Sequence, residues 1–191
     1  MNKLLTFAAM AALAFPLFAD EVASAEPAKS DPQAEETGAR PMRSTWPAYV
    51  AVGQLPRAYD VIGLRLTIPF STVHENVTGI DLGLWGRALY FEGFQLNILR
   101  NDAVDSAAGV QVGIYNSIGR GELLGFQVGL WNEAMSLRGF QVGLVNVVGE
   151  GQGFQVGVLN RAETLYGYQV GLVNVIRDAE LQFLPILNIG F

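Results

Sequence analysis

Between residues 93 and 174 the chain repeats one eight-residue phrase: glycine, an apolar or aromatic residue, glutamine, valine, glycine, an aliphatic residue, a variable one, then asparagine. The close copies are GVQVGIYN (109–116), GFQVGLWN (125–132), GFQVGLVN (139–146), GFQVGVLN (153–160) and GYQVGLVN (167–174), with a looser GFQLNILR at 93–100. Degenerate units starting at Gly63, Gly79 and Leu181 extend the series, and every spacing between unit starts is 14 or 16 residues. Such self-similarity describes one small structural unit laid beside itself, with no unit able to bury its apolar surface alone. It also distributes chemistry evenly, so no lone residue stands out as a catalyst.

The period inside a unit is two. In 139–148, Phe140, Val142, Leu144, Asn146 and Val148 fall on one parity and Gly139, Gln141, Gly143, Val145 and Val147 on the other. This is strand alternation, and two glycines per unit weigh against a helix by roughly 1 kcal/mol each. Each unit is therefore expected as a strand of about ten residues and a turn of about four. The strands are expected near 46–55, 61–70, 79–88, 93–101, 109–118, 125–134, 139–148, 153–162, 167–176 and 182–191. A longer repeat overlies the short one: 125–152 and 153–180 are copies of a 28-residue double unit. Alternate turns of two kinds suit the opposite ends of an up-and-down meander.

Two all-β architectures satisfy this pattern. The first reading is an antiparallel, ten-stranded outer-membrane β-barrel. Ten residues per strand at a tilt of about 40° give roughly 25 Å of height, enough to cross an outer membrane. The apolar parity would meet lipid. The glycines and glutamines would line the inside, and Arg65, Asp81 and Arg161 would be interior charges. The repeat-defining interior candidates are Gln111, Gln127, Gln141, Gln155 and Gln169, with Gly113, Gly129, Gly143, Gly157 and Gly171. The alternative is a β-solenoid of stacked coils with the apolar parity packed inward. Stacking in parallel would create a glutamine ladder from Gln111 to Gln169 and an asparagine ladder from Asn116 to Asn188, and would set Arg65 against Asp81.

Composition narrows the class. The net charge is −6 with no Lys/Arg cluster, which argues against nucleic acid as a partner. The chain has no cysteine, so it has neither disulfides nor thiolate metal sites. Residues 1–25 read as a secretory signal: Lys3, then an apolar run from Leu4 to Ala19, then Ala23-Ser24-Ala25 as a cleavage site, with Ala19 as a rival. Residues 26–45 hold Pro27, Pro32 and Pro41 and almost no large apolar side chain, and are expected to be a flexible tail. A single repeat-built domain then covers 46–191.

The G-[FY]-Q-V-G-[LV]-x-N units, the signal peptide and the LPILN ending (184–188) together resemble the bacterial surface-repeat proteins first noticed in spirochaete genomes. The likeness spans about 61–191, with units 63, 79, 93 and 181 departing from the pattern. It implies an envelope or surface protein and carries no functional residues with it.

Isolated chemistry is sparse. His74, the single histidine, lies beside Glu75 in a polar turn and is read as solvated. Asp102 and Asp105 lack the oxygen-rich spacing of a calcium loop. Trp46, Trp85 and Trp131, with Tyr90, Tyr115 and Tyr166, could form an interfacial girdle or fill a core. The expectation is an exported outer-membrane or cell-surface protein with a structural or surface role. It is expected to be no enzyme and to bind no cofactor or metal. A narrow pore and a secreted or surface-attached adhesive solenoid are the alternatives. The expected partners are outer-membrane lipid and, through a C-terminal strand ending at Phe191, the barrel-assembly machinery.

Overall fold

The computed structural model describes residues 47–56, 60–71 and 76–191. The signal segment, the tail, Trp46, His74 and Glu75 lie outside the described residues. Six strands follow one another in a single sheet in chain order: β1 (Ala48–Val52), β2 (Val61–Ser71), β3 (Asn76–Val112), β4 (Tyr115–Val156), β5 (Leu159–Ile176) and β6 (Phe183–Gly190). β3 and β4 run for 37 and 42 residues because each winds through several coils without losing its hydrogen bonds.

Pairing is parallel from β1 to β5, and it sets like on like. Gly63 lies against Gly79 and Arg65 against Asp81. Gly109 lies against Gly125 and Gln111 against Gln127. Asn146 meets Asn160, and Gln155 meets Gln169. The molecule is thus a β-solenoid of stacked coils, and the antiparallel ten-stranded barrel is not formed. The reason lies in the amides. Each glutamine or asparagine side chain both donates and accepts, so identical residues one coil apart satisfy each other only in parallel register. β6 is the exception. It runs antiparallel to β5, with Gly190 opposite Gly167 and Asn188 opposite Gln169. The last unit therefore closes the stack as a reversed strand, and Asn188 leaves the asparagine register.

Each coil turns its corners at set positions. The first glycine of every unit from Gly63 to Gly167 has φ between 124° and 150°, a region open to glycine, and a Cβ there would overlap the carbonyl oxygen of the residue stacked one coil back. A second corner lies at 143–145. Phe140, Val142 and Leu144 point outward, but Asn146 and Val148 point inward, so the alternation slips by one residue between Leu144 and Asn146. The ten-residue straight strand expected from the sequence is really two shorter sides meeting at an angle.

The expected turns supply the third side and much of the core. Two residues before each corner glycine stand Val61, Val77, Phe91, Ala107, Leu123, Leu137 and Leu165, all buried. Gly151 holds the same position, and the Leu165 and Val148 side chains close over it. Ala134, Val148, Ala162 and Ile176 complete the aliphatic column. The apolar residues of the eight-residue phrase itself are not in this core. Phe126, Phe140, Phe154 and Tyr168 remain 37–46% exposed, so the apolar parity faces out, the reverse of the inward packing expected for a solenoid.

Candidate functional site

Two ladders fill the rest of the interior. Each glutamine donates from Nε2 to Oε1 of the glutamine one coil earlier: Gln169 to Gln155 at 2.7 Å, Gln155 to Gln141 and Gln141 to Gln127 at 2.8 Å, Gln127 to Gln111 and Gln111 to Gln95 at 2.9 Å. Gln95 then donates to Asp81 Oδ2 at 2.8 Å, and Arg65 closes the series with a 2.6 Å ion pair to the same oxygen. All of these side chains are fully buried. The line of neutral amides thus ends on a carboxylate, whose charge orients every donor toward it, and a cation offsets that charge.

The asparagines run the other way. Asn101 donates to Asn116, Asn116 to Asn132, Asn132 to Asn146, Asn146 to Asn160 and Asn160 to Asn174, at 2.7–2.8 Å. Their Nδ2 groups also reach backbone, as Asn132 does to the Val142 carbonyl at 3.0 Å. This ladder and the backbone one coil back explain the mid-unit glycines, since a Cβ there would also overlap the carbonyl oxygen stacked on the previous coil. A Cβ on Gly113, Gly129, Gly143, Gly157 or Gly171 would come within 2.6 Å of an asparagine Nδ2. Asparagine side chains, not glutamine or aromatic ones, cross these positions.

Above the ladders lies the external face. Three parallel rows run along the solenoid: one of Phe126, Phe140, Phe154 and Tyr168, one of valines from Val128 to Val170, and one of aliphatics from Ile114 to Leu172. The rings of the first row are stacked at 5.0–5.2 Å between centroids, at interplanar angles of 4–16°. Between the second and third rows the glycines form the floor of a straight, shallow groove of about 790 Å³, walled by Val128, Leu130, Val142 and Leu144 and their equivalents.

The other candidates disperse. Arg65 and Asp81 meet inside the solenoid, whereas Arg161 does not join them. The slip at the second corner places it outside, 2.9 Å from Glu163. Glu163 also binds Arg177 at 3.0 Å, and the Arg177 hydrogen bond is the main cause that holds its carboxyl below the ordinary carboxylate range. Asp102 pairs with Arg87 and Arg100, each at 3.5 Å, while Asp105 is hydrogen-bonded to Tyr90. Among the described residues no three His, Asp or Glu side chains gather as a metal site. Trp85 and Tyr115 flank the Arg100 guanidinium, which stands 5.7 and 4.8 Å from their ring centroids. The Tyr115 hydroxyl donates to Glu133 at 2.8 Å; burial first, and the Glu133 charge second, raise its pKa. Phe191 is almost wholly exposed beyond β6, at the capped end of a solenoid rather than in a barrel strand.

The corner glycines and the aliphatic column have a signal in the sequence. An apolar residue two places before each first glycine recurs in every described unit except the one at Gly153. Compared with protein-family models, curated proteins and solved structures, the chain matches none.

Proposed function

We propose that this chain is an exported β-solenoid of the cell envelope, attached to or displayed at the cell surface, with a structural, non-catalytic role. One observation carries the reading. The polar residues that define the repeat are all spent on buried ladders, and what the repeat presents outward is a regular apolar face. Such a surface is suited to contact and offers no nucleophile, base or metal ligand set for chemistry. The secretory-type N-terminus, the absence of cysteine and the resemblance to surface-repeat proteins support export and an envelope location. The outer-membrane pore is not carried forward, because ladders and aliphatic side chains fill the interior where a lumen would lie.

Fractionation of the producing cells tests the proposal. The chain is expected in the envelope or outside the cell, shortened by cleavage after Ala25 or Ala19, sensitive to protease added to intact cells, and equally mobile on gels whether or not it is boiled. Full-length, unprocessed chain in the cytoplasm would refute it.

A further inference from the structure

We infer that the apolar face is an interface between two copies of this chain, packed face to face. The rows from Ile80 to Leu172 expose aliphatic and aromatic side chains on seven successive coils, and no charged residue interrupts them. At about 4.8 Å per coil the strip is roughly 30 Å long. With most of these side chains 37–68% exposed, it offers roughly 1,000 Å² of apolar surface per copy. A standard stable interface takes about 800 Å² per partner, and the largest apolar patch on a typical monomer is only about 300–600 Å².

The relief of the strip selects the occupant. It has raised rows and, between Val142 and Leu144 and their equivalents, a straight groove floored by Gly113, Gly129, Gly143, Gly157 and Gly171. Ridge and groove both advance by one coil height per unit. A surface that fits them along the whole strip must carry side chains at the same pitch in a straight line, and a second copy does so. A two-fold axis lying in the interface makes such a patch self-complementary, and its interdigitated rows resemble the dry contacts between sheets in steric zippers. A lipid surface has no such pitch. The net charge of −6 and the lack of a basic cluster beside the strip also give anionic lipid no purchase. The sequence of residues 26–45 holds one large apolar side chain, Met42, and so offers no apolar segment to match the strip.

Sedimentation velocity of the exported protein, purified without detergent, tests this. The parent is expected at twice the chain mass. Val142→Glu is expected to fall to the monomer mass with an unchanged β circular dichroism spectrum, and Met135→Glu, an exposed position off the strip, to stay dimeric. Because Val142→Glu could fail to fold, single cysteines introduced into the cysteine-free chain at Val112, Val128, Val142, Val156 and Val170 give a second readout. At least one is expected to form a disulfide-linked dimer under mild oxidation, while Met135→Cys is not. A monomeric parent, a dimer that survives Val142→Glu, a valine row that never crosslinks, or a monomer that floats with phosphatidylcholine vesicles would each overturn the inference.

Discussion

Replacing one rung in the middle of the glutamine ladder should cost more than replacing the same residue at its end. Gln141→Leu keeps the volume of the side chain but leaves Gln127 Oε1 without its 2.8 Å donor. It also takes from Gln155 Nε2 its 2.8 Å acceptor, leaving that group a 3.4 Å contact to the Arg161 carbonyl. Each buried polar group stranded in this way costs about 1–3 kcal/mol, and leucine returns part of that through easier burial. The net loss should be about 3 kcal/mol. Gln169→Leu strands Gln155 Oε1 and takes a 3.1 Å donor from the Val175 carbonyl, but Gln169 Oε1 already lacks a partner, so no rung beyond it is broken and the cost should be about 1 kcal/mol. Urea unfolding followed by Trp85 and Trp131 fluorescence separates the two: at typical slopes of 1–3 kcal/mol per molar, the interior variant should unfold at least about 1 M before the parent. Equal midpoints for Gln141→Leu and Gln169→Leu would refute the view that the amides act as a connected series.

Gly139→Ala should destabilise by about 3 kcal/mol or more, since φ is 146° and the new Cβ meets the Gly125 carbonyl; a loss under about 1 kcal/mol in the same urea assay would show that the corner yields. Arg65→Met should cost about 3–5 kcal/mol by leaving Asp81 buried and uncompensated, and Arg65→Met with Asp81→Asn should recover part of this. A single variant as stable as the parent would show that the pair is dispensable. Tyr115 should stay protonated in ultraviolet titration well past the ordinary tyrosine value of 10.0. Because its folded pKa is raised, its contribution to stability is intact below pH 10 and is lost as pH climbs past that value toward the folded pKa. Glu133→Gln should lower the Tyr115 pKa only in part, burial being the larger cause, and a full return to ordinary titration would contradict that order.

The all-β class, the period of two and the residues that recur were legible in the sequence, and so was the grouping of Phe140 with Val142 on one face, opposite Gln141. The direction of pairing was not, because alternation with a period of two is the same in parallel and antiparallel sheets. The 28-residue double unit also suits the two rims of a meander, yet 125–152 and 153–180 are two pairs of coils whose third sides differ, one with Leu137 or Leu165 and the other with Gly151 or Ala179 against the aliphatic column. Asn146 held the decisive hint. By parity it shares a face with Phe140 and Val142, where an amide fits neither lipid nor a dry core, and only a corner between Leu144 and Asn146 resolves the conflict. Arg161 was misplaced for the same reason. Which side of the coil would be dry was likewise hidden, because the chain spends glutamine on the inside and phenylalanine on the outside, against the usual preference.

The opposed directions of the two ladders bear on how such a chain can change its length. A line of amides all pointing one way carries a dipole that grows with every member. Here each added coil lengthens the glutamine line toward one end of the molecule and the asparagine line toward the other, so the two increments largely cancel. Paired strands contribute little net dipole of their own. Duplicating or deleting a 28-residue segment would therefore leave the ends of the molecule in nearly the same electrostatic surroundings. Asp81 and Arg65 would terminate a ladder of any length, and β6 could close the stack wherever it fell. Coil number is in that sense an electrostatically neutral trait, free to drift by tandem duplication within a gene, and the likeness of 125–152 to 153–180, which are identical at 16 of 28 positions, has the form such a duplication would leave.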